Sequence, residues 1–108
     1  MDTNQVRYFV VLCEEQSITR TAKRCGVTQP SVTNAIRRLE VEFGGVLFHR
    51  TRRGTKLSPY GVAVRPYLTR INQSVDGAAR TAANWTTGRG SRRGRAVPIL
   101  KSAIGLSR

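Results

Sequence analysis

Ser-Ile-Thr-Arg-Thr-Ala-Lys-Arg-Cys-Gly-Val-Thr-Gln-Pro-Ser-Val-Thr-Asn-Ala-Ile-Arg-Arg-Leu-Glu-Val-Glu-Phe-Gly, residues 17–44, reads as two helices joined by a tight turn. Ser17 is an N-cap for a short helix whose apolar positions Ile18, Ala22 and Cys25 fall at i, i+4 and i+7. Gly26 supplies the C-terminal break, and Val27 is a lone apolar plug between the helices. Thr28 caps the second helix, with Pro30 in its first turn, where a missing N–H costs little. Val32, Ile36, Leu39 and Phe43 then fall at i, i+4, i+7 and i+11, one narrow inward stripe. At about 100° per residue the opposite face carries Pro30, Thr33, Asn34 and Arg37, flanked by Gln29, Ser31 and Arg38. Short polar side chains with cations one turn on suit a helix in a DNA major groove. Small polar groups reach base edges there, and arginines hold phosphates. The spacing predicts a helix-turn-helix. The simpler alternative is a helical hairpin with an ordinary solvated face.

Upstream, residues 4–15 form an expected first helix with Val6, Phe9, Val10 and Cys13 at i, i+3, i+4 and i+7. Three short helices can then close around Phe9, Cys13, Ile18, Ala22, Val27, Val32, Ile36 and Leu39. Downstream, Val46-Leu47-Phe48 anchors the next segment. His49-Arg50-Thr51 and Thr55-Lys56-Leu57 read as two short strands around an Arg52-Arg53-Gly54 turn. An arginine-tipped hairpin beside a helix-turn-helix is a wing, suited to the electronegative minor groove or flanking phosphates. A solvated basic turn is the alternative.

Ser58-Pro59 is a helix start. In the helix that follows, Val64, Leu68, Ile71, Val75, Ala78, Ala82 and Trp85 alternate spacings of 4 and 3, the pattern of a coiled-coil seam. Pro66 should bend this helix, and Gly77 should weaken it by about 1 kcal/mol relative to alanine. A single helix with an apolar seam must bury it, either on the core or on a second copy, and with the core already covered, pairing with a second copy is the favoured expectation. From Gly88 the pattern gives way to Arg89-Gly90-Ser91-Arg92-Arg93-Gly94-Arg95, a basic composition that predicts flexibility. The expected organisation is therefore a mainly α winged helix-turn-helix over 1–58, a linker and dimerisation helix over 59–87, and a Gly/Arg-rich tail over 88–108.

Nineteen Lys and Arg stand against six Asp and Glu, a net charge of +13, which points to a polyanionic partner such as nucleic acid. Seven of those charges come from Arg80, Arg89, Arg92, Arg93, Arg95, Lys101 and Arg108. The other six come from residues 1–76, which are basic without the tail. Cys13 and Cys25 are the only cysteines and both fall on inward stripes, so buried free thiols in a reducing cytoplasm are expected. The apolar run Tyr8 to Cys13 stops at Glu14 and Glu15, too short for a signal peptide or a membrane span.

These residues together resemble the LysR-type transcriptional regulators. The likeness runs from about Val6 to Leu68: Tyr8-Phe9, Ser17, Thr19 and Ala22, then Val27-Thr28-Gln29-Pro30-Ser31-Val32 and Ile36-Arg37-Arg38-Leu39-Glu40. It continues through Leu47-Phe48, Arg50, Arg53, Leu57-Ser58 and Gly61. The resemblance implies a winged helix-turn-helix that binds double-stranded promoter DNA as a dimer through a long linker helix. It implies base contacts from Gln29, Pro30, Ser31, Thr33 and Asn34, and entry of Arg53 into the minor groove. Thr19, Arg37, Arg38, Arg50 and Arg52 join Arg53 as candidates for backbone or minor-groove contact. Position 34 is often arginine in the family, and asparagine here shifts the expected readout from guanine towards adenine. Cys25 stands where leucine is usual. Family members continue into an α/β effector-binding domain, for which this chain has no room, so no small-molecule site or cofactor is expected in it.

Catalysis finds no support. His49 is the only histidine and lies on a wing strand, and two cysteines with one histidine fall short of a structural zinc site. Glu40 and Glu42 point to different helix faces and make no catalytic pair. The rivals are a small basic protein binding nucleic acid without sequence preference, and a partner that pairs with a full-length regulator. Stacking aromatics would favour the first, but Tyr8, Phe9, Phe43 and Phe48 are mostly core positions.

Overall fold

The computed structural model describes residues 1–87. Its elements run α1 (Thr3–Glu15), α2 (Ile18–Cys25), α3 (Gln29–Phe43), β1 (Phe48–Thr51), β2 (Gly54–Leu57) and α4 (Pro59–Thr86). This is the mainly helical winged helix-turn-helix that the sequence predicts. By its packing the chain divides into two units, Met1–Ser74 and a second that begins at Val75, so the division falls inside α4.

Asp2 opens α1 with a capping box. Its carboxylate accepts from the Gln5 N–H at 2.8 Å, and the Gln5 side chain accepts from the Asp2 N–H at 3.1 Å. That reciprocal pair starts the helix at Thr3, one residue before the expected position. The expected stripe on α1 was too narrow. Val6, Phe9, Val10 and Cys13 are buried as predicted, and so are Gln5, Tyr8, Val11 and Leu12. The reason is that α1 packs against α2, α3 and β2 together, so little of its surface is left to water.

Ser17 caps α2, its hydroxyl accepting from the Arg20 N–H at 3.1 Å, and Gly26 ends the helix in the left-handed conformation (φ 69°). Val27 donates back to the Ala22 carbonyl at 2.9 Å, and its half-buried side chain rests on the core as the predicted plug. Thr28 caps α3. Val32, Ile36 and Leu39 are buried, with Phe43 half-buried at the end of the stripe. Of the expected core, Ile18 and Val27 lie at its edge, while Leu12, Leu47 and Leu68 complete its centre.

The hairpin pairs Phe48 with Leu57, His49 with Lys56, Arg50 with Thr55 and Thr51 with Gly54. Arg52 and Arg53 alone form the turn, so both strands reach one residue beyond the predicted segments. Two contacts seat β1. The Glu40 carboxylate accepts from the Leu47 and Phe48 N–H groups at 2.7 and 3.3 Å, and the Phe48 ring lies 5.2 Å from Phe9. Glu40 is therefore a structural clamp between α3 and the wing.

Buried Ser58 makes the join to α4. Its hydroxyl donates to the Val46 carbonyl at 2.6 Å and accepts from the Gly61 N–H at 2.9 Å. Gly61 passes so near the Leu47 carbonyl that an added Cβ would stand 2.3 Å from it. Glycine is required there. The helix continues through Pro66 as far as Thr86.

The seam of α4 divides. Leu68 lies on the expected seam, yet it is only 2% exposed and belongs to the core of its own chain, and Val64 packs on that core. Three short helices do not close the core by themselves; α4 supplies a side chain to it. Ile71 and Val75 are the large apolar residues of the seam that remain 36% exposed. Ala78 and Ala82 are exposed and Trp85 is half-buried. The tail, 88–108, lies outside the described residues.

Candidate nucleic-acid interface

The outer face of α3 is positioned by its inner one. Because Val32, Ile36 and Leu39 are locked into the core, Gln29, Pro30, Asn34 and Arg37 are turned outward, with Thr33 half-buried between them. These five residues line one open groove, whose far wall is Ile18 of α2 and Arg50 of the wing. A second groove joins the start of α2 to the wing. Thr19, Gln29, Arg50 and Arg53 line it, together with Gln16 and Thr55. Gln29 and Arg50 border both grooves, so helix and wing present one continuous surface.

Not every predicted residue shares that surface equally. Ser31 and Arg38 line a separate groove with Asn34 and the start of α1. The Ser31 hydroxyl is hydrogen-bonded to the Thr28 hydroxyl at 2.8 Å, and its N–H donates to the same cap at 3.2 Å. Ser31 thus has part of its bonding capacity committed to the helix start. Arg52 is exposed on the wing turn but borders none of these three grooves.

The distribution of carboxylates completes the electrostatics. Among the described residues the ion pairs are Arg20 with Glu15, Arg24 with Glu14 and Glu15, and the Met1 ammonium with Glu42. Asp2 is consumed as a cap and Glu40 as the wing clamp. Arg37, Arg38, Arg50 and Arg53 have no carboxylate partner among the described residues. The surface they border therefore keeps its positive charge for an external anion.

Sequence reasoning missed two residues that build this surface, Glu40 as a clamp and Gln16 in the lining of the second groove. The signal for Gln16 was its place directly before the Ser17 cap, where one helix has ended and the next has not begun. The two cysteines take no part. Both are buried free thiols, and burial pushes the Cys13 thiol up to about 11, partly opposed by Arg65. No cluster of three potential metal ligands occurs among the described residues, and none of their helices is long and apolar enough to cross a membrane.

A helix-turn-helix with a polar, arginine-flanked second helix and an arginine-tipped wing defines the class of winged helix-turn-helix proteins. The family profile described as "Bacterial regulatory helix-turn-helix protein, lysR family" matches residues 3–62, and the chain belongs to that family. It is 38% identical over 82 residues to the HTH-type transcriptional regulator BudR of Klebsiella aerogenes, covering 76% of this chain and 57% of BudR. It is 36% identical over 76 residues to the HTH-type transcriptional regulator BenM of Acinetobacter baylyi, covering 70% of this chain and 25% of BenM. The chain thus spans little more than half of one relative and a quarter of the other. Its fold matches the structure described as a BenM_DBD/catB site 1 DNA complex with a TM-score of 0.71 at 32% identity, covering 82% of this chain and 99% of that one. It matches the CbnR_DBD–DNA complex with a TM-score of 0.65 at 31% identity, covering 91% and 99%.

Proposed function

We propose that this chain is a sequence-specific, DNA-binding transcriptional regulator that acts in the bacterial cytoplasm as a homodimer. The observation that carries the reading is the shared surface of α3 and the wing. Base-reading side chains Gln29, Thr33 and Asn34 border it with Arg37, Arg50 and Arg53, none of which has a carboxylate partner among the described residues, while Arg20 in the second groove is paired with Glu15. In this reading α3 enters the major groove, where Gln29 and Asn34 offer the paired donor and acceptor that match adenine. Pro30 and Thr33 pack on base edges, with Ser31 and Arg38 reaching the flank nearer α1. Arg37 holds phosphate, and Arg53 with Arg52 extends the wing towards the minor groove. Thr19 and Arg50 meet the backbone between the two. The DNA-bound state of the BenM and CbnR fragments supports this assignment.

Pairing uses the part of the seam that the core does not consume: Ile71, Val75, Ala78, Ala82 and Trp85. Two copies would present two recognition helices to an interrupted palindrome, and linking two weak half-site contacts raises affinity through effective concentration. The test is selection from a randomised duplex library, followed by mobility shifts on the recovered and scrambled sequences at two salt concentrations. A recovered palindrome, held more tightly than its scrambled form at both salts, supports the reading. Equal retention of both duplexes means a non-specific basic protein instead. Sedimentation at micromolar concentration that returns only monomer, with and without the recovered duplex, removes the dimer.

A further inference from the structure

We infer that Gln16 is a positioning residue for DNA recognition, which latches the wing to the helix-turn-helix and so sets where Arg50 and Arg53 meet the duplex. The inference rests on the DNA-binding reading above. Its starting point is the backbone. Gln16 is the only non-glycine among the described residues with a positive φ, at φ 57° and ψ 29°. Glycine adopts that conformation without a steric penalty, and glutamine there bears one while adding a side chain that bonds the wing.

Gln16 joins α1 to β2. Its N–H donates to the Leu12 carbonyl at 2.8 Å and closes α1. Its carbonyl accepts from the Thr55 N–H at 3.0 Å, and its side-chain Oε1 accepts from the Lys56 ammonium at 2.7 Å. An ammonium has only donors, so the amide oxygen is the atom that suits it. The approach of β2 is close. Gly54 has φ 116°, and a Cβ added there would stand 2.4 Å from the Gln16 carbonyl oxygen.

Two anchors orient what one only tethers. Glu40 and Phe9 hold the wing at Leu47 and Phe48, where β1 begins. Gln16 holds Thr55 and Lys56 on β2, just beyond the turn that carries Arg52 and Arg53. It also lines the same groove as Thr19, Arg50 and Arg53. The angle between the wing and α3 is thereby fixed from the α1–α2 corner, and with it the relative register of minor-groove and major-groove contacts.

The test uses the full chain and a duplex recovered by the wild type from a randomised library. The variants are Gln16→Gly, Lys56→Met and the double substitution. Readouts are the urea midpoint, guanine-N7 methylation protection under α3, hydroxyl-radical protection under the wing, and affinity. Gln16→Gly relieves the backbone while removing the side-chain bond. It should keep or raise the urea midpoint, keep the protection under α3, lose that under the wing, and weaken binding about three- to ten-fold, the factor one net hydrogen bond supplies. Adding Lys56→Met to Gln16→Gly should then cost little more, because the lysine acts through the latch. Unchanged wing protection and affinity in Gln16→Gly would overturn the inference. So would losses that multiply in the double variant, since the two side chains would then act on DNA independently. A wild type that protects neither groove fails at the DNA-binding reading itself, and the inference falls with it.

Discussion

α1 and α3 are helices of similar length, 13 and 15 residues, put to opposite uses. α1 buries eight residues and lies beneath α2, α3 and the hairpin. α3 fully buries three, on a single stripe flanked by half-buried Ala35 and Phe43, and leaves its opposite face to solvent. The difference separates scaffold from working surface within one small domain. A helix buried on most sides can only hold its neighbours in place. A helix anchored by one narrow stripe can present polar groups outward in a fixed rotation, and it is this rotation that lines Gln29, Asn34 and Arg37 along a common groove.

The largest effect should come from removing the anchor. Leu39→Ala on the α3 stripe should cost about 2–5 kcal/mol, and Leu12→Ala on α1 a similar amount, enough to unfold so small a domain. Urea midpoints equal to that of the wild type would deny α3 its buried face. The same contrast exists within α4. Leu68→Ala should also cost about 2–5 kcal/mol, whereas Ile71→Ala should change the unfolding of dilute protein by about 0.5 kcal/mol or less. Ile71→Glu and Val75→Glu together should give folded monomers with weak hold on a full palindrome. Sedimentation that still returns dimers would place the interface elsewhere.

A smaller effect, confined to DNA, is expected from the outer face of α3. Asn34→Ala should leave the urea midpoint in place and cost about 1–3 kcal/mol of discrimination at one base position. Arg37→Ala should weaken all duplexes about equally and flatten the salt slope. Selection returning the wild-type site for Asn34→Ala would remove that residue from base reading. The narrowest effect, confined to high pH, belongs to Cys13 of α1. Burial raises the Cys13 thiol from 9.0 to about 11, so the folded chain holds this proton more tightly than the unfolded one. Stability from this source is complete below pH 9.0 and is lost as pH rises towards about 11. Cys13→Ser should flatten that decline in a series of urea midpoints; an unaltered decline would assign it to other groups.

Much of the α3 surface was legible because it depends on local rules. Ser17 and Thr28 as caps, Gly26 as the break, and the 3.6-residue spacing of Val32, Ile36 and Leu39 all act within a few residues of chain. Once that stripe is placed inward, geometry dictates the outward residues. Arg50 and Arg53 were likewise marked by their place around a short turn. The wing clamps were not legible. Glu40 reaches Leu47 and Phe48, and Gln16 reaches a lysine 40 positions away. Nothing in the spacing of a single polar residue names so distant a partner.

Caps, turn residues and apolar spacing were enough to mark the helices, the turns between them and the main inward stripes. Tertiary structure alone decided what each apolar residue is buried against. The seam of α4 repeats without a break from Val64 to Trp85, yet Leu68 is taken by the core of its own chain while Ile71 and Val75 stay partly exposed. The physical reason is that the hydrophobic effect is non-directional. Periodicity records that a face seeks burial, and only the arrangement of α1, α3 and the hairpin shows how much of that face a single chain can cover.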